Sequence, residues 1–181
     1  MRILAEDKRH QSFVRQYLKQ NGFDNHDISL APLPSGRGSG EQWVRQRYSL
    51  EMKAFRARAL GAKAQTALVV IIDADTSTID YRLTQLRSAL NAENIPDRRP
   101  EESVAHLIPK RHIETWILCL TGEAVNEERS YRENRDIDGR VKPATLSSRS
   151  LSTEQHPDSC VDSLRLAILE IRERLSDKWK R

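Results

Sequence analysis

Six consecutive residues, Ala67-Leu68-Val69-Val70-Ile71-Ile72, carry no polar side chain and are β-branched from Val69 onward. A strand without a polar face must be covered on both sides, as happens in a parallel sheet held between helix layers. The run stops at Asp73-Ala74-Asp75. The rest of the chain supplies the layers. Arg2 to Ala5 reads as a strand ending at Glu6-Asp7. Phe13, Val14, Tyr17 and Leu18 follow at helical spacing, up to a stop at Asn21-Gly22. Ile28 to Leu33, interrupted by Pro32 and followed by Pro34, reads as either a short edge strand or an extended segment. Val44, Tyr48, Met52, Phe55 and Ala59 then form one apolar helical stripe, closed by Gly61. Beyond Asp75, Ile79, Leu83, Leu86 and Leu90 predict another helix. Val104 to Ile108 predicts a fourth strand, and Ile113, Trp116, Ile117 and Leu120 a short helix ended by Gly122. Strict alternation of this kind predicts an α/β fold, a mainly parallel four-stranded sheet with right-handed crossovers, over residues 1–122. Residues 123–181 read as a polar, partly mobile excursion (Glu123 to Asp158). A final amphipathic helix with Val161, Leu164, Ile168, Ile171 and Leu175 then packs back on the same domain.

The chain has 181 residues, enough for one domain with a real core. No apolar run approaches the roughly 20 residues of a membrane span. The start, Met1 to Glu6, turns acidic too soon for a signal peptide. Two cysteines, Cys119 and Cys160, make neither a disulfide framework nor a thiolate zinc site. The expectation is a soluble cytoplasmic protein. Thirty Lys and Arg against 26 Asp and Glu leave a formal charge of +4, too small by itself to imply a polyanionic partner. Locally, Arg37, Arg45, Arg47, Lys53, Arg56 and Arg58 face only Glu41 and Glu51. That stretch reads equally as an anion-binding face and as a solvated helix face.

In open parallel sheets, ligands bind outside the carboxyl ends of the strands. Glu6 follows the first strand, Asp73 and Asp75 follow the apolar one, and Glu114 lies one turn into the helix after the fourth. Four carboxylates on one rim repel each other unless a cation lies among them. Mg²⁺, an oxygen-seeking ion that keeps waters, is the natural partner, with Mn²⁺ as its substitute. Each acid also has a structural reading: Glu6 as an acid near a helix start, Asp75 with Thr76 and Ser77 as a helix cap, Glu114 as a surface residue. Their joint position favours a metal site of Glu6, Asp73 and Asp75. Lys110 and Arg111 would contact phosphate oxygens or only balance the acids. In the glycine-rich loop Ser35 to Gly40, Arg37 would serve a phosphate cradle, or the loop is a plain linker. Lys142 and Arg140 are candidates for a substrate-facing lid. His10 and His26 read as surface residues, and Asp7-x-x-His10 as a chance pair.

A Glu after the first strand and an Asp-x-Asp after a central one resemble the Toprim-type metal-dependent domain of topoisomerases, primases and OLD-type nucleases. Here these are Glu6 and Asp73-Ala74-Asp75. Pro109-Lys110-Arg111-His112-Ile113-Glu114-Thr115-Trp116-Ile117-Leu118 resembles a segment of small Toprim-like defence proteins related to RloB. The likeness covers about the first 120 residues. Asp7 stands where that family usually has glycine, and the glycine common downstream of Asp-x-Asp is missing. The resemblance implies a Toprim/Rossmann-like fold and Mg²⁺-dependent phosphodiester cleavage of DNA or RNA. It also implies a place in bacterial antiphage defence beside an ATPase partner, and it is compatible with a homo-oligomer. Asp73 and Asp75 would hold metal. Glu6 would complete the coordination or act as general base, and Glu114 would be a further ligand or outer acid. Two other readings stand beside it. Asp73-Ala74-Asp75-Thr76-Ser77 loosely matches the nucleophile loop of haloacid-dehalogenase-like phosphatases, although that family starts with this strand and two strands precede it here. The third reading is a non-catalytic nucleic-acid-binding or assembly subunit.

Overall fold

The computed structural model describes residues 1–35, 39–61, 66–133, 136–151 and 161–175. Along the chain come β1 (Arg2–Ala5), α1 (Lys8–Gln20), a 3₁₀ turn (Asn25–Asp27), β2 (Ser29–Leu30) and α2 (Gly40–Ala59). Then follow β3 (Leu68–Ile71), α3 (Ile79–Asn91), β4 (Val104–Leu107), α4 (Ile113–Leu120), α5 (Ile137–Leu151) and α6 (Asp162–Leu175). The starts of α1, α2 and α3 carry side-chain caps. Asp7 accepts from the His10 N–H at 3.0 Å, Ser39 from Gln42 at 3.4 Å, and Thr78 from Tyr81 at 3.0 Å. After α1 the chain turns at Gly22, whose φ of +92° is open to glycine at little cost.

The four strands form one all-parallel sheet in the order β2-β1-β3-β4. β1 and β3 pair over their full length, from Arg2↔Leu68 to Ala5↔Ile71. β2 pairs through only two residues before Pro32, which has no N–H to continue a ladder. The chain goes from β1 outward to β2, then crosses back over β1 to reach β3. Right-handed crossovers in opposite directions place their helices on opposite faces of the sheet. The buried side chains sort accordingly. Ile3, Ala5, Val69, Ile71 and Leu107 pack with Phe13, Trp116, Val141 and Ile168 of α1, α4, α5 and α6. Leu4, Leu68, Val70, Ile72 and Val104 pack with Tyr48, Met52, Phe55, Leu86 and Leu90 of α2 and α3. β3 is buried at every position, as its composition predicts. Each such aliphatic side chain contributes about 1.5–3 kcal/mol of hydrophobic stabilisation.

The polar excursion expected from Glu123 to Asp158 is corrected by α5, which packs on α1 and α4. Ile137, Val141 and Ala144, spaced by four and three, are buried. Gly139 and Pro143 lower the intrinsic helix propensity of this stretch and obscure the pattern. The preceding loop is pinned too. The Glu127 carboxylate accepts from the Ser163 hydroxyl, which in turn accepts from Trp116 Nε1 at 2.6 Å. Trp116 is therefore a core residue, and α6 packs back against β4.

At the start of α2, a Cβ added to Gly40 would lie 2.9 Å from the Glu6 carbonyl oxygen and 3.0 Å from Glu6 Cβ. Only glycine lets the helix come this close to the end of β1. Gly40→Ala, a replacement that ordinarily favours a helix, should here cost about 1–3 kcal/mol through overpacking. Urea unfolding of the two proteins measures it, and a gain in stability would mean that α2 does not abut Glu6.

Candidate metal centre

Glu6 leaves β1 on the face of Leu4, and Asp73 leaves β3 on the face of Val69 and Ile71. Glu6 Oε1 accepts from the Asp73 N–H at 2.6 Å, so a side chain extends the β1–β3 pairing past the last strand residue. β1 and β3 are the neighbours between which the chain reverses direction across the sheet. That is the crevice in which α/β proteins bind ligands.

Asp73 is 2% exposed. Its Oδ1 is 2.9 Å from His10 Nε2, and its Oδ2 is 3.5 Å from His112 Nδ1 and 3.8 Å from Arg132 Nη2. Asp75 adopts φ +55°, a left-handed conformation that Asp tolerates better than most residues. The turn around it is tied by the Ala74 N–H to Pro109 O at 2.8 Å and the Ser77 N–H to Ala74 O at 2.9 Å. Asp75 Oδ1 accepts from Arg132 Nη2 at 2.9 Å and is 3.5 Å from His112 Nδ1, while Oδ2 is 3.7 Å from Arg82 Nη2. Thr78 caps α3, so the capping role open to Asp75 from sequence is filled by another residue.

His10 corrects an expectation. It is buried in the first turn of α1, with Nδ1 at 2.8 Å from Asp7 and Nε2 on Asp73. The Asp7-x-x-His10 pair is thus structural: Asp7 caps α1 and braces the imidazole that holds Asp73. The signal was present, since His10 lies one turn before Phe13 and Val14 on the same helical stripe. His26 is exposed, as expected. His112, at the N-cap position of α4, makes no side-chain capping bond. Arg132 also escaped sequence reading, because nothing in the polar segment around it points inward.

The other predicted residues are placed as follows. Glu114 is buried rather than a surface residue, and its carboxylate is ion-paired with Arg9, which also donates to Asp138 at 2.6 Å. It stands outside both of the donor groups described below. Lys110 Nζ donates to Ser77 O at 3.2 Å and Arg111 Nη1 to Asp75 O at 3.4 Å, so both brace the turn that carries Asp75. Lys142 is an exposed residue of α5, and Arg140 pairs with Glu123. Arg37 lies outside the described residues. On α2, Arg45 pairs with Glu41, Arg47 with Glu51, Lys53 with Glu93 and Arg56 with Glu102. Much of that segment's positive charge is therefore compensated within the protein.

Among the described residues, two groups of three donors share Asp73: Glu6, His10 and Asp73, and Asp73, Asp75 and His112, with the ligand atoms of each group within 4.8 Å of one another. The second fits a cation better. Both nitrogens of His10 are occupied by carboxylates, whereas His112 Nδ1 is buried without a hydrogen-bond partner. A polar atom left so costs about 1–3 kcal/mol unless a ligand satisfies it.

Burial, opposed by His10 and reinforced by Asp73 and Asp75, pushes the Glu6 carboxyl up to about 8. Burial would also raise Asp73, but the His10 charge and hydrogen bond, with His112, hold it below the usual carboxylate range. Burial works against charge on His10, yet Asp73 and Asp7 together raise it well above its ordinary value. Without a divalent ion, protons on Glu6 and His10 and the guanidinium of Arg132 offset the clustered negative charge. Glu6 stays protonated in the fold between its ordinary 4.5 and about 8, and His10 stays protonated above 6.5. The folded state binds more protons than the unfolded one in both windows, so stability is full below them and declines as pH rises through them. Buried His106, whose burial holds it well below its ordinary value, works the other way below pH 6.5, because there the unfolded chain carries its extra proton. In chelator, the thermal midpoint should therefore change little from pH 5 to 6.5, where Glu6 and His106 oppose each other, and fall from pH 6.5 to 8. Glu6→Gln should turn the part between pH 5 and 6.5 into a rise, since His10 is charged in both states there. An unaltered slope there would mean that Glu6 ionises normally.

No protein-family model matches the chain, and no curated protein or solved structure matches it significantly. No described helix is long and apolar enough to cross a membrane.

Proposed function

We propose that this protein is a divalent-metal-dependent phosphodiesterase acting on nucleic acid, a nuclease of Toprim-like type using Mg²⁺ or Mn²⁺. The observation that carries the reading is that Asp73, just past β3, meets Glu6 from the end of the adjacent β1 and shares a second donor group with Asp75, where the chain reverses across the sheet. A bound divalent cation supplies positive charge to a phosphoryl oxygen and lowers the pKa of water. Asp73 and Asp75 hold it, with Asp73 oriented by His10. Glu6, whose Oε1 accepts from the Asp73 N–H, stands next to the metal ligands, and in its ionised form it would take a proton from an attacking water. Arg132 stands half exposed at the mouth and can exchange its carboxylate partners for a phosphate oxygen. A groove of about 680 Å³ between α2 and α3, lined by Gln42, Arg45, Gln46, Tyr81, Thr84 and Gln85, offers one guanidinium and several neutral hydrogen-bonding groups to a strand.

Asp73 serves better as a metal ligand than as the nucleophile of a phosphatase. It is almost fully buried, and the oxygen that would attack is bonded to His10 or faces His112. Antiphage defence beside an ATPase partner belongs to the proposal through the resemblance, self-association is compatible with it, and a cytoplasmic location enters from the sequence composition.

With Mg²⁺ or Mn²⁺ the protein should degrade plasmid or single-stranded DNA or RNA. Asp73→Asn should reduce the rate by more than the roughly 10–100-fold typical of losing an outer partner, with circular dichroism unchanged. Equal turnover in Asp73→Asn would remove the site. Hydrolysis of an aryl phosphate alone would favour the phosphatase, and salt-sensitive binding without turnover the binding module.

A further inference from the structure

We infer that His112 is a nitrogen ligand of the cation held by Asp73 and Asp75, and that the site therefore prefers a first-row transition ion of the Mn²⁺ type over Mg²⁺. The inference deepens the metal-dependent reading above and rests on it, but it concerns a ligand and a selectivity that three carboxylates would not produce. His112 is 5% exposed and stands at the start of α4 without capping it. Its Nδ1 has no hydrogen-bond partner and lies 3.5 Å from Asp73 Oδ2 and 3.5 Å from Asp75 Oδ1. That spacing is long for a hydrogen bond. It is close to the roughly 3.0–3.4 Å between neighbouring donors when each binds one ion at about 2.1 Å.

The alternatives for this imidazole are few. With a lone pair on Nδ1 it faces two carboxylates, which offer no proton. With a proton on Nδ1, as neutral tautomer or imidazolium, it would make a short bond to one of them, as short as those between His10 and Asp7 or Asp73. It makes none. A cation between the three atoms uses the nitrogen lone pair and both carboxylates at once. Arg132 covers the same two carboxylate oxygens from the solvent side and, being half exposed, can leave without breaking the core. The arrival of a divalent ion then replaces a guanidinium with another cation. Mg²⁺ favours all-oxygen coordination, whereas imidazole is an ordinary ligand of transition ions. His10 cannot take this part, since both its nitrogens are engaged. It acts as a positioning residue for Asp73.

Manganese provides the probe. Mn²⁺ bound to the full chain should show ¹⁴N modulation from one imidazole in electron spin-echo spectra, and Mg²⁺ should displace it only at about tenfold or greater excess. In His112→Ala the nitrogen signal should vanish. Mn²⁺ affinity should fall by about tenfold or more while Mg²⁺ affinity changes much less, so the preference collapses. His112→Asn, which keeps a polar side chain at the helix start, should behave alike and serves if the alanine variant misfolds. Binding of Mn²⁺ without nitrogen modulation, or an equal loss for both ions, would overturn the inference and leave the carboxylate site standing. Failure of the wild type to bind either ion at millimolar concentration would overturn both.

Discussion

The structure depends on keeping Asp73 charged inside the protein. A carboxylate removed from water is costly unless it is paired and hydrogen-bonded. Here the partner comes from α1, whose first turn brings His10 onto Asp73, while Asp7 braces the other ring nitrogen and caps the same helix. The backbone N–H of Asp73 is taken by Glu6. One buried charge thus joins the ends of β1 and β3 to the start of α1. Gly40 brings the start of α2 to the same point from the opposite face. The site is not appended to the sheet edge; it is the way the edge is closed.

That closure follows from topology. In the order β2-β1-β3-β4, the helices that flank β1 lie on opposite faces, so the carboxyl ends of β1 and β3 open into a crevice no crossover covers. What narrows the crevice comes from later in the chain. His112 arrives with the turn into α4 and Arg132 with the segment before α5. α5 itself is tied to α1 and α4 through Arg9, which bridges Glu114 and Asp138. Residues beyond 122 therefore act on the site in two ways, directly through Arg132 and at a distance through α5, which packs on the two helices whose starts carry its histidines.

Much of this was legible beforehand, for identifiable reasons. Ala67 to Ile72 announced a doubly covered strand because a run with no polar side chain has few other fates. The edge position of β2 was written in Pro32. Glu6, Asp73 and Asp75 could be grouped because parallel strands all end on the same rim. α5 was obscured because its apolar stripe of Ile137, Val141 and Ala144 was diluted by Gly139 and Pro143. His10 continued an apolar stripe, but a histidine at the end of such a stripe is as readily solvated as buried. Its buried state needs a carboxylate that lies 63 residues away in the chain.

Sequence by itself determined the class of fold, the alternation of its elements and which acids share an edge, since these depend on local periodicity and on a general rule of parallel sheets. Tertiary structure alone decided which groups answer those acids. Asp73 meets His10 and His112, Asp75 meets Arg132, and Glu114 meets Arg9 instead of the cluster. Pairing among charged side chains is set by distances of a few ångströms between segments far apart in the chain, and no local pattern encodes them.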